Sequence, residues 1–100
     1  MIKKLRIGCY DFTVDIVKDL GVWGYCLAPQ KKIQINKNIS VKDRNITIFH
    51  EAMHAIINSY GLHVPEEMEE TTVRILENAV VKFLQDNPKF ANEFLQSIKV

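Results

Sequence analysis

Cysteine and histidine are scarce in this sequence, and their scarcity excludes several classes of protein. The chain has 100 residues, of which two are cysteine and three are histidine. Cys9 and Cys26 form no CxxC pair, so the sequence excludes a disulfide framework and a zinc site built from paired cysteines. Each lies in a strand-like stretch, and we expect both to be reduced residues of the core.

An excess of one charge and long apolar stretches are also absent. The formal net charge is +1 and acidic and basic residues are intermixed, which argues against a nucleic-acid or membrane surface built on charge. No apolar run approaches the roughly 18 residues of a membrane span. Arg6 and Asp11 interrupt the apolar core that a signal peptide requires, so we expect a cytoplasmic protein without nucleic-acid or membrane partners.

The length and the apolar content are typical of one folded unit. Hydrophobic residues make up 47% of the 100 residues, which suffices for one core but not for two. The sequence therefore predicts a single domain spanning residues 1–100.

Two of the scarce histidines lie in a specific pattern. His50-Glu51-Ala52-Met53-His54 is an HExxH motif, which binds zinc in many metallopeptidases. Residues four apart on an α-helix lie one turn apart on the same face, so His50 and His54 can bind one metal ion. Glu51 is well placed to act on a metal-activated water as general base.

The residues around the motif predict a helix. Apolar residues recur at three- and four-residue steps, and we interpret them as a core-facing stripe: Ile46, Phe49, Met53, Ile57 and Tyr60. Ser40 or Asp43 can cap the start of the helix, and Gly61 can end it. Ala52 and Ala55 are small, so another element can approach the helix closely.

A catalytic zinc site usually has a third protein ligand and one open position for water. The metzincin extension would place glycine and histidine where Ile57 and Tyr60 stand, which excludes that solution. The acidic residues 66–70 begin a second predicted helix and offer carboxylates instead. The helical pattern favours Glu66 as the third ligand, with Glu70 as the alternative. Three further candidates stay open: Glu67, Glu69 and His63.

The first forty residues predict strands joined by turns. Residues 3–7 and 10–16 alternate apolar and polar side chains and can pair as a hairpin around Gly8. Residues 25–27 and 32–35 flank a second turn, in which Pro29 suits the second position. A short helix is expected after Pro88. The predicted fold class is α+β, with a small antiparallel sheet of three or four strands packed against two longer helices.

The motif and its surroundings resemble a known family. Residues 47–56 and the following Tyr60-Gly61-Leu62 are similar to small zincin-like proteins of phages and prophages, relatives of the ImmA/IrrE-type metallopeptidases. Residues 24–35 resemble the hairpin that precedes the helix there, and Asp86-Asn87-Pro88 resembles the end of the second helix. The resemblance implies a minimal gluzincin-like domain in which a downstream glutamate completes the zinc site of His50 and His54.

The same resemblance implies a substrate and a place for it. Peptidases of this kind in mobile elements can act on regulatory proteins such as repressors, so the resemblance implies a peptide or protein substrate. In zincin-like folds an extended peptide can pair with an exposed strand edge beside the active-site helix. By resemblance, residues 32–35 are the candidate strand.

The predicted activity is zinc-dependent hydrolysis of a peptide bond. Glu51 takes a proton from the attacking water and delivers it to the leaving amine. A donor to the oxyanion is expected among four side chains: Tyr25, Tyr60, His63 and Arg74. Two alternatives stay open. One is a zinc-binding regulatory or interaction module of phage origin without protease activity, which the small size favours; the other is a metal-free helical protein that binds a partner.

Overall fold

Four strands are followed along the chain by three helices in the computed structural model, which describes residues 2–99. Met1 and Val100, the ends of the predicted domain, lie outside the described residues. The elements are β1 Lys4–Ile7, β2 Tyr10–Val17, β3 Gly24–Leu27, β4 Lys32–Asn36, α1 Val41–Ser59, α2 Glu66–Asp86 and α3 Pro88–Ser97. The predicted α+β class, the two longer helices and the short helix after them are confirmed.

The strands form one mixed sheet in the order β1-β2-β4-β3. The predicted hairpin of β1 and β2 is present, with Ile7 opposite Tyr10 and Gly8 in the turn at a φ of 59°. The second hairpin is also present, and Lys31 N donates to Ala28 O across its turn. The sheet differs from a wholly antiparallel one because β2 and β4 run parallel.

The strand β4 lies inside the sheet, so the expectation that residues 32–35 form a peptide-binding edge is wrong. The strand pairs with β2 on one side and with β3 on the other, which uses the hydrogen-bonding groups of both its edges. Ile33 and Ile35 explain this position, since both are fully buried and a central strand has more of its surface covered. The strand at this edge of the sheet is β3.

One face of the sheet packs against α1. Phe12 and Val14 of β2 alternate with exposed residues and face the same side as Ile33 and Ile35. From α1, Ile48 and Ala55 complete this core. At about 25 cal/mol per Å² of apolar surface, each large buried side chain contributes roughly 1.5–3 kcal/mol to folding.

The buried face of α1 differs from the predicted stripe. Its buried residues are Thr47, Ile48, Glu51, Ala55 and Ile57. Only Ile57 of the predicted stripe is among them, and Tyr60 is 66% exposed. The reason is the small size of Ala55 and its neighbour Ala52, which lets the helix lie close to the sheet on that side, as their size predicted. The polar Glu51 is therefore turned inward beside the core.

The caps of α1 position the motif helix. Ser40 is the N-cap, and its Oγ accepts a hydrogen bond from Asp43 N at 3.1 Å. At the other end Gly61 has a φ of 66°, which glycine adopts without strain, so the chain turns away there as predicted. Within residues 2–99, none of the helices has the length and apolar character that crossing a membrane requires.

Candidate metal centre

The HExxH motif occupies the middle of α1, as its pattern predicted. His50 and His54 lie one turn apart, with ring centroids 5.1 Å from each other. Both side chains are mostly buried, with 17% and 15% of their surface exposed. The two imidazoles therefore face the same region between α1 and α2.

Glu70 of α2 meets both histidines. Its Oε1 lies 2.9 Å from His50 Nε2, and its Oε2 lies 2.9 Å from His54 Nε2. Ligand atoms of these three side chains lie within 4.8 Å of one another, and this group can hold a metal ion. A four-coordinate metal ion held by two imidazole nitrogens and one carboxylate would keep one position for another ligand.

The other nitrogen of each ring is held by a second carboxylate. His50 Nδ1 contacts Glu77 Oε2, and His54 Nδ1 lies 2.6 Å from Glu69 Oε2. An ionised carboxylate only accepts hydrogen bonds, so these two contacts favour the tautomer with the proton on Nδ1 whenever Nε2 binds a metal ion. Metal-binding histidines usually donate this second N–H to a carboxylate or carbonyl, which fixes the ring and leaves Nε2 for the metal. The four contacts therefore orient both rings for one shared ligand.

Glu77 was not predicted as a site residue, because the carboxylate candidates came from the start of α2. The signal was present, since Glu77 follows Glu70 by seven residues, or two helical turns, and thus shares its face. Glu66, the favoured third ligand in the sequence, lines the same cleft, but it makes no hydrogen bond to either histidine within the described part of the chain. The structure brings the alternative, Glu70, to that place.

The remaining candidates from the sequence are dispersed. Glu67 and His63 are exposed and do not line the cleft. Of the expected oxyanion donors, Tyr25 and Arg74 line it, and Arg74 Nη2 lies 3.7 Å from Glu70 Oε1. Tyr60 lies instead beside the Gly8 turn at the far end of α1.

Burial tunes the acid–base properties of Glu51. Its side chain lines the cleft, yet the residue is only 8% exposed. Burial raises the pKa of Glu51 above its ordinary value, although His50 and His54 oppose this rise by favouring the charged form. A carboxylate with a raised pKa is a stronger base, so Glu51 is suited to accept a proton.

The pKa of His50 is also raised. Burial acts to lower it, but the hydrogen bond with Glu77 and the charges of Glu51, Glu70 and Glu77 together outweigh burial. Without a metal, the proton on His50 is thus stabilised by the same carboxylates that orient the ring. The charged ring carries a proton on Nε2 as well as on Nδ1, and the Nε2 proton competes with a metal ion for that nitrogen.

The third wall of the cleft is the edge strand β3. A Cβ on Gly24 would lie 2.5 Å from Thr47 Cγ2 and 3.2 Å from Glu51 Cγ, so only glycine lets the strand approach α1 this closely. Together with α1 and α2, β3 encloses a cleft of about 910 Å³ beside the motif. Residues of β3 and the candidate metal centre therefore line the same cleft.

The cysteines are both free, as expected, but they differ in position. Cys9 lies exposed in the first turn rather than in the core, because the turn carries it away from the sheet face. Cys26 lines the cleft, and burial followed by the charge of Glu51 raises the pKa of its thiol to about 11. Its thiol therefore stays protonated at neutral pH.

No protein-family model, curated protein or solved structure matches this chain. The candidate metal centre is therefore defined by its own geometry. That geometry combines a group able to hold a metal ion, a buried carboxylate beside it and an open cleft.

Proposed function

We propose that this chain is a zinc-dependent metallopeptidase, a small zincin-like relative of the phage and prophage enzymes that its motif resembles. The observation that carries the proposal is the meeting of both Nε2 atoms at Glu70, while Glu77 and Glu69 hold the two Nδ1 atoms. Two histidines and one glutamate form the ligand set of catalytic zinc in one large class of peptidases. Imidazole ligands also suit zinc better than magnesium or calcium.

Different residues of the chain carry out different steps of the proposed hydrolysis. When bound, zinc would polarise the substrate carbonyl and lower the pKa of its water toward about 7. Glu51 accepts the proton of the attacking water and then gives it to the leaving amine. Of the expected oxyanion donors, Arg74 and Tyr25 line the cleft and would stabilise the developing charge.

The substrate we propose is an extended segment of a cytoplasmic protein, such as a phage or prophage regulatory protein. The free edge of β3 supports this, because an extended peptide can add to a sheet edge as a further strand. Gly24, Tyr25 and Cys26 of this strand line the cleft that also contains Glu51. A peptide paired with β3 would thus pass beside the general base.

Metal content and hydrolysis together test the proposal. Protein purified without added zinc is expected to contain about one zinc per chain, and a pool of unstructured peptides should be cleaved. Glu51→Gln should keep the metal and lose at least about 100-fold in rate, since general-base catalysis contributes 10²–10⁴-fold. Glu67→Gln is the matched control, because it makes the same chemical change on an exposed side chain outside the cleft.

Each result separates one function from the others. Full activity in Glu51→Gln would refute its role as base. Wild-type protein that holds zinc but cleaves neither peptides nor unfolded proteins would support the regulatory or interaction module. Protein that neither retains nor takes up zinc would exclude both the metallopeptidase and the zinc-binding module.

A further inference from the structure

The C-terminal part of the structure leaves an apolar face uncovered. Helix α3 has no buried residue, and α2 has only one, Val73. Large apolar residues recur at positions i, i+4, i+7 and i+8 on α2 and continue on α3 and its cap. We call this set the α2–α3 face: Leu76, Val80, Phe83, Leu84, Phe90, Phe94, Leu95 and Ile98. Its members are between 36% and 58% exposed.

Aromatic contacts give this face a fixed shape. The rings of Phe83 and Phe90 meet edge to face with centroids 5.8 Å apart, which joins α2 to α3. Phe90 and Phe94 stack with centroids 5.7 Å apart. All three rings nevertheless remain about half exposed. The face is thus a formed surface and not a set of scattered apolar side chains.

The charges around the face exclude two kinds of partner. Residues 76–98 contain two lysines and three acidic residues, so they form no basic patch for nucleic acid or anionic lipid. Lys82 is moreover paired with Asp86 at 3.0 Å. A partner for this surface has to be apolar with both signs of charge at its rim.

We infer that the α2–α3 face binds a second copy of this chain in a twofold-symmetric dimer. A second copy supplies a matching apolar surface, and a twofold axis joins identical patches. The three phenylalanines have roughly 200 Å² of surface each and the five aliphatic side chains roughly 150 Å² each, and about half of this surface is exposed, which amounts to about 700 Å² per copy. A standard protein interface buries about 600–1,000 Å² on each partner. The exposed apolar area lies within this range.

The polar rim fits the same arrangement. Lys89 and Glu93 lie one turn apart on α3. Two copies of α3 that cross antiparallel about a twofold axis bring opposite charges together at this rim. The residues of α2 that line the cleft lie between Glu66 and Glu77, and none of them belongs to the α2–α3 face, so this dimer leaves the cleft open.

Sedimentation velocity of the full chain from about 1 to 100 µM tests the inference. A species of twice the 11.6 kDa chain mass is expected at the upper concentrations. Two variants probe the face, Leu95→Glu and the double variant Phe94→Glu with Leu95→Glu. Each should raise the dimer dissociation constant at least about 100-fold, because symmetry buries the introduced charge twice.

Val41→Glu is the matched control, since Val41 is 67% exposed on α1 and lies outside the face. It should leave the dissociation constant unchanged, and circular dichroism establishes that each variant is folded. If the wild-type chain stays monomeric at 100 µM, the inference is overturned. A monomer that binds neutral lipid vesicles overturns it as well, because the face then binds lipid. A dimer that survives unchanged in the folded double variant overturns it too, because the interface then lies elsewhere.

Discussion

Replacing Glu77 by glutamine is expected to weaken zinc binding although Glu77 is not a ligand. The Glu77 carboxylate contacts His50 Nδ1, and its side chain is only 12% exposed. Glutamine keeps the shape but removes the charge and can present an amide N–H to the ring. Loss of such a carboxylate behind a metal-binding histidine typically costs 10- to 100-fold in metal affinity. That range corresponds to about 1.4–2.8 kcal/mol.

Burial ranks the two supporting carboxylates. Glu69 holds His54 Nδ1 in the same way, but its side chain is 34% exposed and water screens its charge more strongly. We therefore expect Glu77→Gln to approach the upper end of the range and Glu69→Gln to cost about tenfold. Glu70→Gln should exceed both, because it alters the group that faces the two Nε2 atoms.

Competition with a fluorescent zinc chelator at pH 7.5 measures these differences. Glu66→Gln and Glu67→Gln complete the series on α2, since neither side chain contacts a histidine among the described residues. Both substitutions should change the zinc affinity less than about threefold, because each removes one distant charge that water and salt screen. The reasoning is refuted if Glu77→Gln matches these controls. A loss in Glu66→Gln larger than that in Glu70→Gln would restore Glu66 as third ligand.

Two further predictions concern stability. Gly24→Ala should lower the free energy of unfolding in urea by about 1–3 kcal/mol, because the Cβ of alanine would lie 2.5 Å from Thr47 Cγ2. Unchanged stability would contradict the close approach of β3 and α1. The raised pKa of His50 stabilises the metal-free fold below the ordinary value of 6.5, and this stabilisation is lost as pH rises through the folded value. Thermal unfolding in a chelator should therefore show a larger loss between pH 6 and pH 8 in wild type than in His50→Gln. Zinc should reverse the trend because it requires the neutral ring.

Local features of the fold could be predicted from the sequence because their causes are local. Ser40 and Gly61 mark the ends of α1 through capping and a positive φ, and both act within a few residues. The HExxH spacing fixes the relation of His50 to His54 through helix geometry alone. The hairpin turns likewise follow from residues such as Pro29.

Features that depend on how elements meet were predicted less well. The core-facing side of α1 was assigned to large apolar residues, but the sheet approaches the side that carries Ala55. The strand β4 was expected at an edge, but its fully buried Ile33 and Ile35 lie in a central strand. Hydrophobic periodicity reports which residues are apolar, and it does not specify the closest approach between two elements.

The choice between Glu66 and Glu70 is decided by one packing residue. Val73 is the only buried residue of α2, and it is fully enclosed. Glu70 lies one turn before it and Glu77 one turn after it on the same face, which directs both carboxylates toward the motif. Placing Glu66 at the histidines would require α2 to slide by about one turn, or roughly 5.4 Å. The slide would bring Glu69 into the position of Val73 and bury its carboxylate without a partner, at a cost of several kcal/mol. The burial of Val73 therefore selects which carboxylate faces the motif, because the register that buries Val73 is the register that brings Glu70 to both histidines.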